Sequence, residues 1–365
     1  MPLSAIAPDN YAALLEEKTQ RVCGQLAAFN PPPPEIVASS PTAFRMRAEF
    51  RMWHAGDDLN YVMYRRGEPK TPINIEHFPI ACERIQSLMP QLIALLRVNQ
   101  TLRRKLFQVE FLSTLAGDTL LTLIYHRKLD DDWHGEATHL SEQMGVQLVG
   151  RSRKQKLVLQ RDYVEEVLPI QGRRYHYRQY EQAFSQPNAR VNIRMIEWAC
   201  ERAASLQGDL LELYCGNGNF TLPLSNFFEH VIATELAKSS IKAARANLES
   251  NDISNVQMIR LSAEEVTQAI RGERSFRRLA ELPRPLADYD LRTVFVDPPR
   301  AGLDAHTEQM VARFESIIYI SCNPETLAKN LGALSASHSI EHFALFDQFP
   351  YTNHMECGVF LRKKS

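Results

Sequence analysis

Three stretches carry side chains suited to chemistry. IIYISCNPE (317–325) ends a run of β-forming residues on Cys322, and Pro324 stops the strand just beyond it. VFVDPPRAGLD (294–304) ends a similar run on Asp297, 25 residues earlier. YTNHMECGVF (351–360) offers two titratable groups, His354 and Glu356, at the head of another apolar run. A thiol with a carboxylate or imidazole beside it can add to an electron-poor carbon and later have a proton removed nearby. A lone cysteine is also a common small buried residue, so this reading depends on the three stretches meeting.

The elements that would make them meet are legible from about residue 209 onward. LLELYCG (210–216) leads through NGNF into a helix. HVIATE (230–235), NVQMIRL (255–261), TVFVDPP (293–299) and SIIYISC (316–322) follow, each nearly all apolar and each succeeded by a helical stretch; a polar insertion near 273–291 precedes TVFVDPP. Such alternation predicts a doubly wound, mostly parallel sheet, whose ligands bind at the carboxyl ends of the strands. Cys322 and Asp297 both fall at such ends. IEHFALFDQF and MECGVFLR then come in succession and predict an antiparallel hairpin at one edge of the sheet.

In a sheet of this kind the first strand-to-helix turn approaches the ligand most closely, and here it is ELYCGNGNF, with Gly216 and Gly218. The third glycine of a dinucleotide fingerprint would fall at 221, which is a threonine. Glu235 ends the second strand, 17 residues after Gly218, near the spacing of an acid that hydrogen-bonds ribose hydroxyls. A nucleoside without a pyrophosphate fits, which favours S-adenosylmethionine over NAD. With Glu212 in the first strand and D-P-P after the fourth, the order of pieces resembles the class I methyltransferases. Arg300 stands where enzymes that methylate a nucleobase amino nitrogen carry an aromatic, so that chemistry is disfavoured. A thiol answers a different need. C5 of uracil is a poor nucleophile until a thiolate adds at C6, after which C5 attacks an electrophilic methyl and a base removes its proton. Glu356 and His354 are both candidates for that base.

The earlier part of the chain is organised differently. NYAALLEEKTQRVCGQLAAF (10–29) reads as an amphipathic helix closed by PPPPE. FRMRAEFRMW (44–53) alternates strictly, with Phe44, Met46, Ala48, Phe50 and Met52 on one face and Arg45, Arg47, Glu49, Arg51 and Trp53 on the other, a half-buried strand with a basic outer face. Further strands are expected at 59–64, 106–114, 119–126 and 146–150, with helices near 80–97 and 133–144. The mixture predicts an α+β domain on an antiparallel sheet over 1–180, followed by an α/β domain over 181–365.

Composition permits this scheme without specifying it. The chain has 365 residues and net charge −1, split as +3 up to residue 180 and −4 beyond. That balance allows nucleic-acid binding without demonstrating it. No long uncharged apolar run or signal-like N-terminus is present, so the cytoplasm is the expected compartment. The six cysteines are scattered, with no C-x-x-C pair, which argues for reduced thiols and against a zinc ribbon or iron–sulfur cluster.

Taken together, QPN (186–188), ELYCGNGNF, FVDPPRAGLD, YISCNPETLAKN and FPYTNHMECGV resemble the RNA 5-methyluridine methyltransferase family over essentially the whole chain. The likeness is strongest to its bacterial branch acting on the T loop of tRNA, and it includes FRMRAEFRMW, LFQ and YHRKLDDDW. The resemblance implies Cys322 as nucleophile and Glu356 as the proton-abstracting base. It implies Gln186, Tyr214, Asn219, Glu235 and Asp297 as contacts of S-adenosylmethionine, with no metal. The iron–sulfur cysteines and extra N-terminal barrel typical of the rRNA-modifying relatives are not found in this sequence, which favours tRNA; rRNA is the alternative substrate and transfer-messenger RNA a further one. A monomer is the expected state.

An enzyme acting on a stacked base must extract it, using an apolar wedge and cations for the phosphates. The candidates are Arg45, Arg47 and Arg51, Arg103 to Lys105, and RSRKQK (151–156). By resemblance Phe107, with Arg51 and Glu49, contacts the RNA loop.

Overall fold

The computed structural model describes residues 6–56, 58–65 and 67–364. The chain forms two units. One contains Ser40–Val167 and Arg178–Ala189; the other contains Asp9–Ser39, Leu168–Tyr177 and residues 190–364. This corrects the single break expected at residue 180. The N-terminal helix and proline run belong with the C-terminal sheet, because a three-residue strand after the prolines pairs there.

In the second unit, eight strands form one sheet. They are β1 (Glu35–Val37), β2 (Asp209–Leu213), β3 (Val231–Thr234), β4 (Val256–Ile259), β5 (Leu291–Val296), β6 (Ser316–Ser321), β7 (His338–Phe346) and β8 (Glu356–Lys363). Their order across the sheet is β1-β7-β8-β6-β5-β2-β3-β4. The run β6-β5-β2-β3-β4 is parallel throughout, as the alternation of apolar strands and helices predicts. β8 runs antiparallel to both β6 and β7. The expected hairpin is present but is not at an edge, since β1 pairs in parallel with β7, Glu35 opposite Ala344 and Val37 opposite Phe346.

Burial explains the composition of the strands. Every residue of β2, β3 and β6 is buried, so they read as largely apolar runs, with Asp209, Thr234, Ser316 and Ser321 at their ends and Glu212 the carboxylate within one of them. One apolar core joins Leu211, Leu213, Val294, Val296, Ile317 and Tyr319 of the sheet to Leu327, Leu331 and Leu334 of a covering helix and to Val22 and Leu26 of the N-terminal helix.

The first unit is built on a seven-stranded sheet. FRMRAEFRMW enters it as predicted: Arg47–Ala55 pairs with Asp58–Arg65 on one side and Leu106–Ser113 on the other. Phe44, Met46, Ala48, Phe50 and Met52 are all buried. The sheet is mixed rather than purely antiparallel. Thr119–Tyr125 and Gln147–Ser152 run parallel, and helix Asp131–Met144 makes the crossover that parallel neighbours require. Among the described residues no helix is long and apolar enough to cross a membrane.

Candidate active site

Four of the residues singled out from sequence occupy equivalent places in the second unit. Tyr214, Glu235, Asp297 and Cys322 are each the first residue past a parallel strand, β2, β3, β5 and β6 respectively. β2, β3 and β5 end level, with Leu213 opposite both Thr234 and Val296, and β6 runs two residues further, with Val296 opposite Tyr319, so the four positions lie at one carboxyl edge with Cys322 the furthest out.

Glu356 reaches that edge from the other direction, as the first residue of the antiparallel strand β8. Ser321 pairs with Cys357. Cys322 and Glu356 are the residues next to that rung, one just past the end of β6 and the other at the start of β8, and the Glu356 charge acts on the Cys322 thiol. Glu356 is 3% exposed. Burial and then the charge of Asp297 push its carboxyl up to about 8. Cys322 is half-buried, and its thiol is raised to about 11 by burial and by the Glu356 and Asp297 charges, against which Arg300 acts. Burial raises Asp297 to about 7, a shift tempered by its partial contact with solvent. The site is thus a protonated thiol among carboxyls poised to gain or lose protons near neutrality. His354, the rival base, lies outside this arrangement. It is exposed and accepts a hydrogen bond from Arg300 at 2.9 Å.

The loops carrying these groups are tied together by two asparagines. Asn323 caps helix Pro324–Leu334 by accepting from the Glu325 amide, and its own amide donates to the Arg300 carbonyl at 3.1 Å. Pro324 at the first helical turn gives up no useful amide there. Asn330, 2% exposed, accepts from Leu303 N–H and Tyr319 O–H and donates to the Leu303 carbonyl and to Glu308. At Gly302, with φ +74°, an added Cβ would come within 2.6 Å of Asn330 Oδ1, so the turn after DPPR needs glycine for both conformation and space.

The glycine turn has the conformation that a close backbone approach demands. Tyr214, Gly216 and Gly218 all have positive φ, at 60°, 56° and 87°. Open space surrounds the Cβ position of Gly216. Glu235 accepts from Gly216 N–H at 3.1 Å and from Leu236 and Ala237 N–H, each at 2.7 Å, which fixes its carboxylate while leaving oxygen lone pairs for hydroxyl donors. Asn219 and Asn192 exchange two amide hydrogen bonds of 2.9 Å, and the Asn219 carbonyl accepts from Tyr177 O–H. Glu212 is fully buried, and its carboxyl is raised to about 8 by burial. This set fits a nucleoside cofactor with ribose hydroxyls and no phosphates. Gln186 falls in the first unit, with its Oε1 buried and unpartnered.

In the first unit the expected basic surface is smaller than the sequence implied. Arg45 and Arg47 are largely enclosed and donate to the carbonyls of Arg47 and Ala183. Arg103 is buried on backbone carbonyls, and Arg151 is taken up by Glu181. The exposed cations of these groups are Arg51, Arg104, Lys105, Arg153, Lys154 and Lys156, the last paired with Asp162. Phe107 is sandwiched: the Arg51 guanidinium lies 3.9 Å from its ring centre and His126 stacks at 4.0 Å. Glu49 is exposed directly opposite Glu110, a like-charge pair on the same sheet face. His126 was missed from sequence, as were Asn192 and Asn330. Nothing local marks any of them, because their partners are remote in the chain.

Comparisons with known proteins agree with this geometry. The family model described as tRNA (Uracil-5-)-methyltransferase matches residues 10–364. A tRNA/tmRNA (uracil-C(5))-methyltransferase of Aromatoleum aromaticum is 50% identical over 364 residues, covering 100% of this chain and 98% of the relative. One of Acinetobacter baumannii is 52% identical, covering 97% and 99%. Among solved structures, the tRNA (uracil-54, C5)-methyltransferase of Pyrococcus abyssi in complex with S-adenosyl-L-homocysteine aligns with TM-score 0.72 at 19% identity, covering 96% of this chain and 83% of that one. It supports the fold.

Proposed function

The chain belongs to the tRNA (uracil-5-)-methyltransferase family, and from that membership we propose that it methylates C5 of a uridine in the T loop of tRNA, with the T arm of tmRNA as a second substrate. The observation that carries the chemistry is the Ser321–Cys357 pairing, which brings their neighbours Cys322 and Glu356 to the carboxyl edge of the sheet.

S-adenosylmethionine, when bound, supplies an electrophilic methyl group. Tyr214, Asn219, Glu235 and Asp297 hold it, Glu235 through the ribose hydroxyls. Cys322 gives up its thiol proton to Asp297 and adds as thiolate to C6 of uracil, forming a C–S bond and an enolate with nucleophilic C5. Once C5 bears its new methyl, Glu356 takes the C5 proton, the C5–C6 double bond re-forms and the thiolate departs. A carboxyl raised to about 8 is a strong enough base for this carbon acid and is still partly ionised at neutral pH. In the first unit, Glu49, Arg51 and Phe107, with His126 stacked on the phenyl ring, meet the RNA loop. The enzyme works as a cytoplasmic monomer.

The test is a T-arm RNA carrying 5-fluorouracil, incubated with S-adenosylmethionine. Fluorine cannot leave as a proton does, so a covalent protein–RNA complex is expected to accumulate and to vanish in Cys322→Ala. A complex that persists in that variant overturns the assigned nucleophile. Labelled S-adenosylmethionine with tRNA, tmRNA and rRNA tests the substrate, and methylation confined to rRNA would refute the tRNA assignment.

A further inference from the structure

The loop between β7 and β8 begins at Asp347 and returns the chain at Glu356, and both ends meet at one rung, Phe346 opposite Glu356. One face of the N-terminal helix Tyr11–Leu26 grips this loop along its length. Tyr11, Lys18 and Arg21, spaced by seven and then three residues, share that face.

Tyr11 O–H donates to Asp347 Oδ2 at 2.8 Å and its ring meets Tyr351 edge-on at 6.0 Å. Lys18 forms a short ion pair with Asp347 and donates to the Phe349 carbonyl at 3.2 Å. Arg21 donates to the Asn353 carbonyl at 2.6 Å. Alternate loop residues 347, 349, 351 and 353 are thereby held. Lys18 is 7% and Asp347 1% exposed. A buried ion pair is a costly way to stabilise a fold, since an apolar pair of similar volume would serve as well or better. It does impose direction and register, which apolar contacts do not. Two further ties set the same frame: Asp347 N–H donates to the Val37 carbonyl at 2.9 Å, and Ser39 N–H donates to Tyr11 O–H at 2.8 Å. The helix also packs against helix Pro324–Leu334, which starts two residues after Cys322. One element therefore braces the chain next to both reacting groups.

We infer that the N-terminal helix, through Lys18 and Asp347 with support from Tyr11 and Arg21, positions the Glu356 carboxylate for removal of the C5 proton. Lys18 and Asp347 are positioning residues that act through the 347–355 loop. This rests on the assignment of Glu356 as base. Loosening the loop slows the last proton transfer while leaving thiolate addition and methyl transfer intact, so the enzyme stalls as a covalent C5-methylated adduct.

Lys18→Met, which keeps most of the side-chain volume, and Arg21→Ala, at an exposed position, are compared with the wild type on two RNAs. With ordinary T-arm RNA, Lys18→Met is expected to lose about tenfold and Arg21→Ala about threefold in turnover. A covalent protein–RNA complex, a trace in the wild type, is expected to become a clear band on a denaturing gel. With 5-fluorouracil RNA, both variants are expected to form the complex at the wild-type rate, because that product needs no base. A parallel fall in turnover and in fluorouracil complex, with no stalled ordinary adduct, would reduce the helix to a structural support and overturn the inference. Unchanged turnover in both variants would also overturn it. Failure of the wild type to form the fluorouracil complex would instead sink the reading of the active site itself.

Discussion

Arg300 donates a hydrogen bond to the His354 imidazole at 2.9 Å, which occupies one ring nitrogen of one of the two candidate bases. Burial and the neighbouring cations Arg300, Lys18 and Arg21 all lower the proton affinity of His354. Glu356, two residues on, is buried beside Cys322 instead. Glu356→Gln is therefore expected to cut turnover by about 10²- to 10⁴-fold and to leave the enzyme trapped on ordinary T-arm RNA, while His354→Asn loses less than about tenfold. Single-turnover methylation and a denaturing gel distinguish the two. A His354 defect as large as that of Glu356 would reverse the assignment.

The raised carboxyl of Glu356 sets a pH dependence. Its pKa of about 8 means that most molecules hold a protonated, inactive base at pH 6. Turnover at saturating RNA is expected to rise by about tenfold per unit below pH 7 and to level off above pH 8. Formation of the fluorouracil complex needs the thiolate but not the base. With Asp297, near 7, taking the thiol proton, it is expected to level off about one pH unit earlier than turnover. Parallel profiles for the two reactions would mean that one ionisation governs both.

Glu212 gives a stability effect of opposite sense. In the unfolded chain its carboxyl ionises near 4.5, whereas in the folded protein it stays protonated to about 8. Between those values unfolding releases a proton, so this group's contribution to stability falls as pH rises. Glu212→Gln removes that loss. Relative to the wild type, the variant is expected to gain about 2 kcal/mol of stability between pH 5.5 and 7.5, measured by urea unfolding at both pH values. No pH-dependent difference would mean that Glu212 finds a charge partner in solution.

Much of this site was legible because strand ends are legible. Cys322, Asp297, Glu235 and Tyr214 each follow an apolar run that must be a buried strand, and a doubly wound sheet places all such ends on one edge. Alternation likewise fixed which side chains of Phe44–Met52 are buried. What escaped were pairings without a local signature. β1 is three residues long, with the pattern of any loop after prolines, so its docking on β7 and the interior position of the hairpin could not be foreseen. Arg45 and Arg47 looked like a basic surface because alternation separates two faces of a strand but does not say whether something covers the outer one. Lys18 and Asp347 are 329 residues apart, and neither type stands out where it lies. Asn330 appears as one polar residue in a helix, although four hydrogen bonds converge on it.

The interior position of β8 has a consequence for biosynthesis. During translation, β2 through β6 leave the ribosome in sequence and can assemble as a partial sheet with β6 at its border. β8 must then insert between β6 and β7, and β1, made more than 300 residues earlier, can dock only on β7. Closure of the unit waits for contacts of very long sequence separation, which form slowly. Until then Cys322 stands at an open sheet border without Glu356 beside it. On the roles proposed for Cys322 and Glu356, a nascent chain carries the nucleophile for some time before the base that would release its RNA is in place.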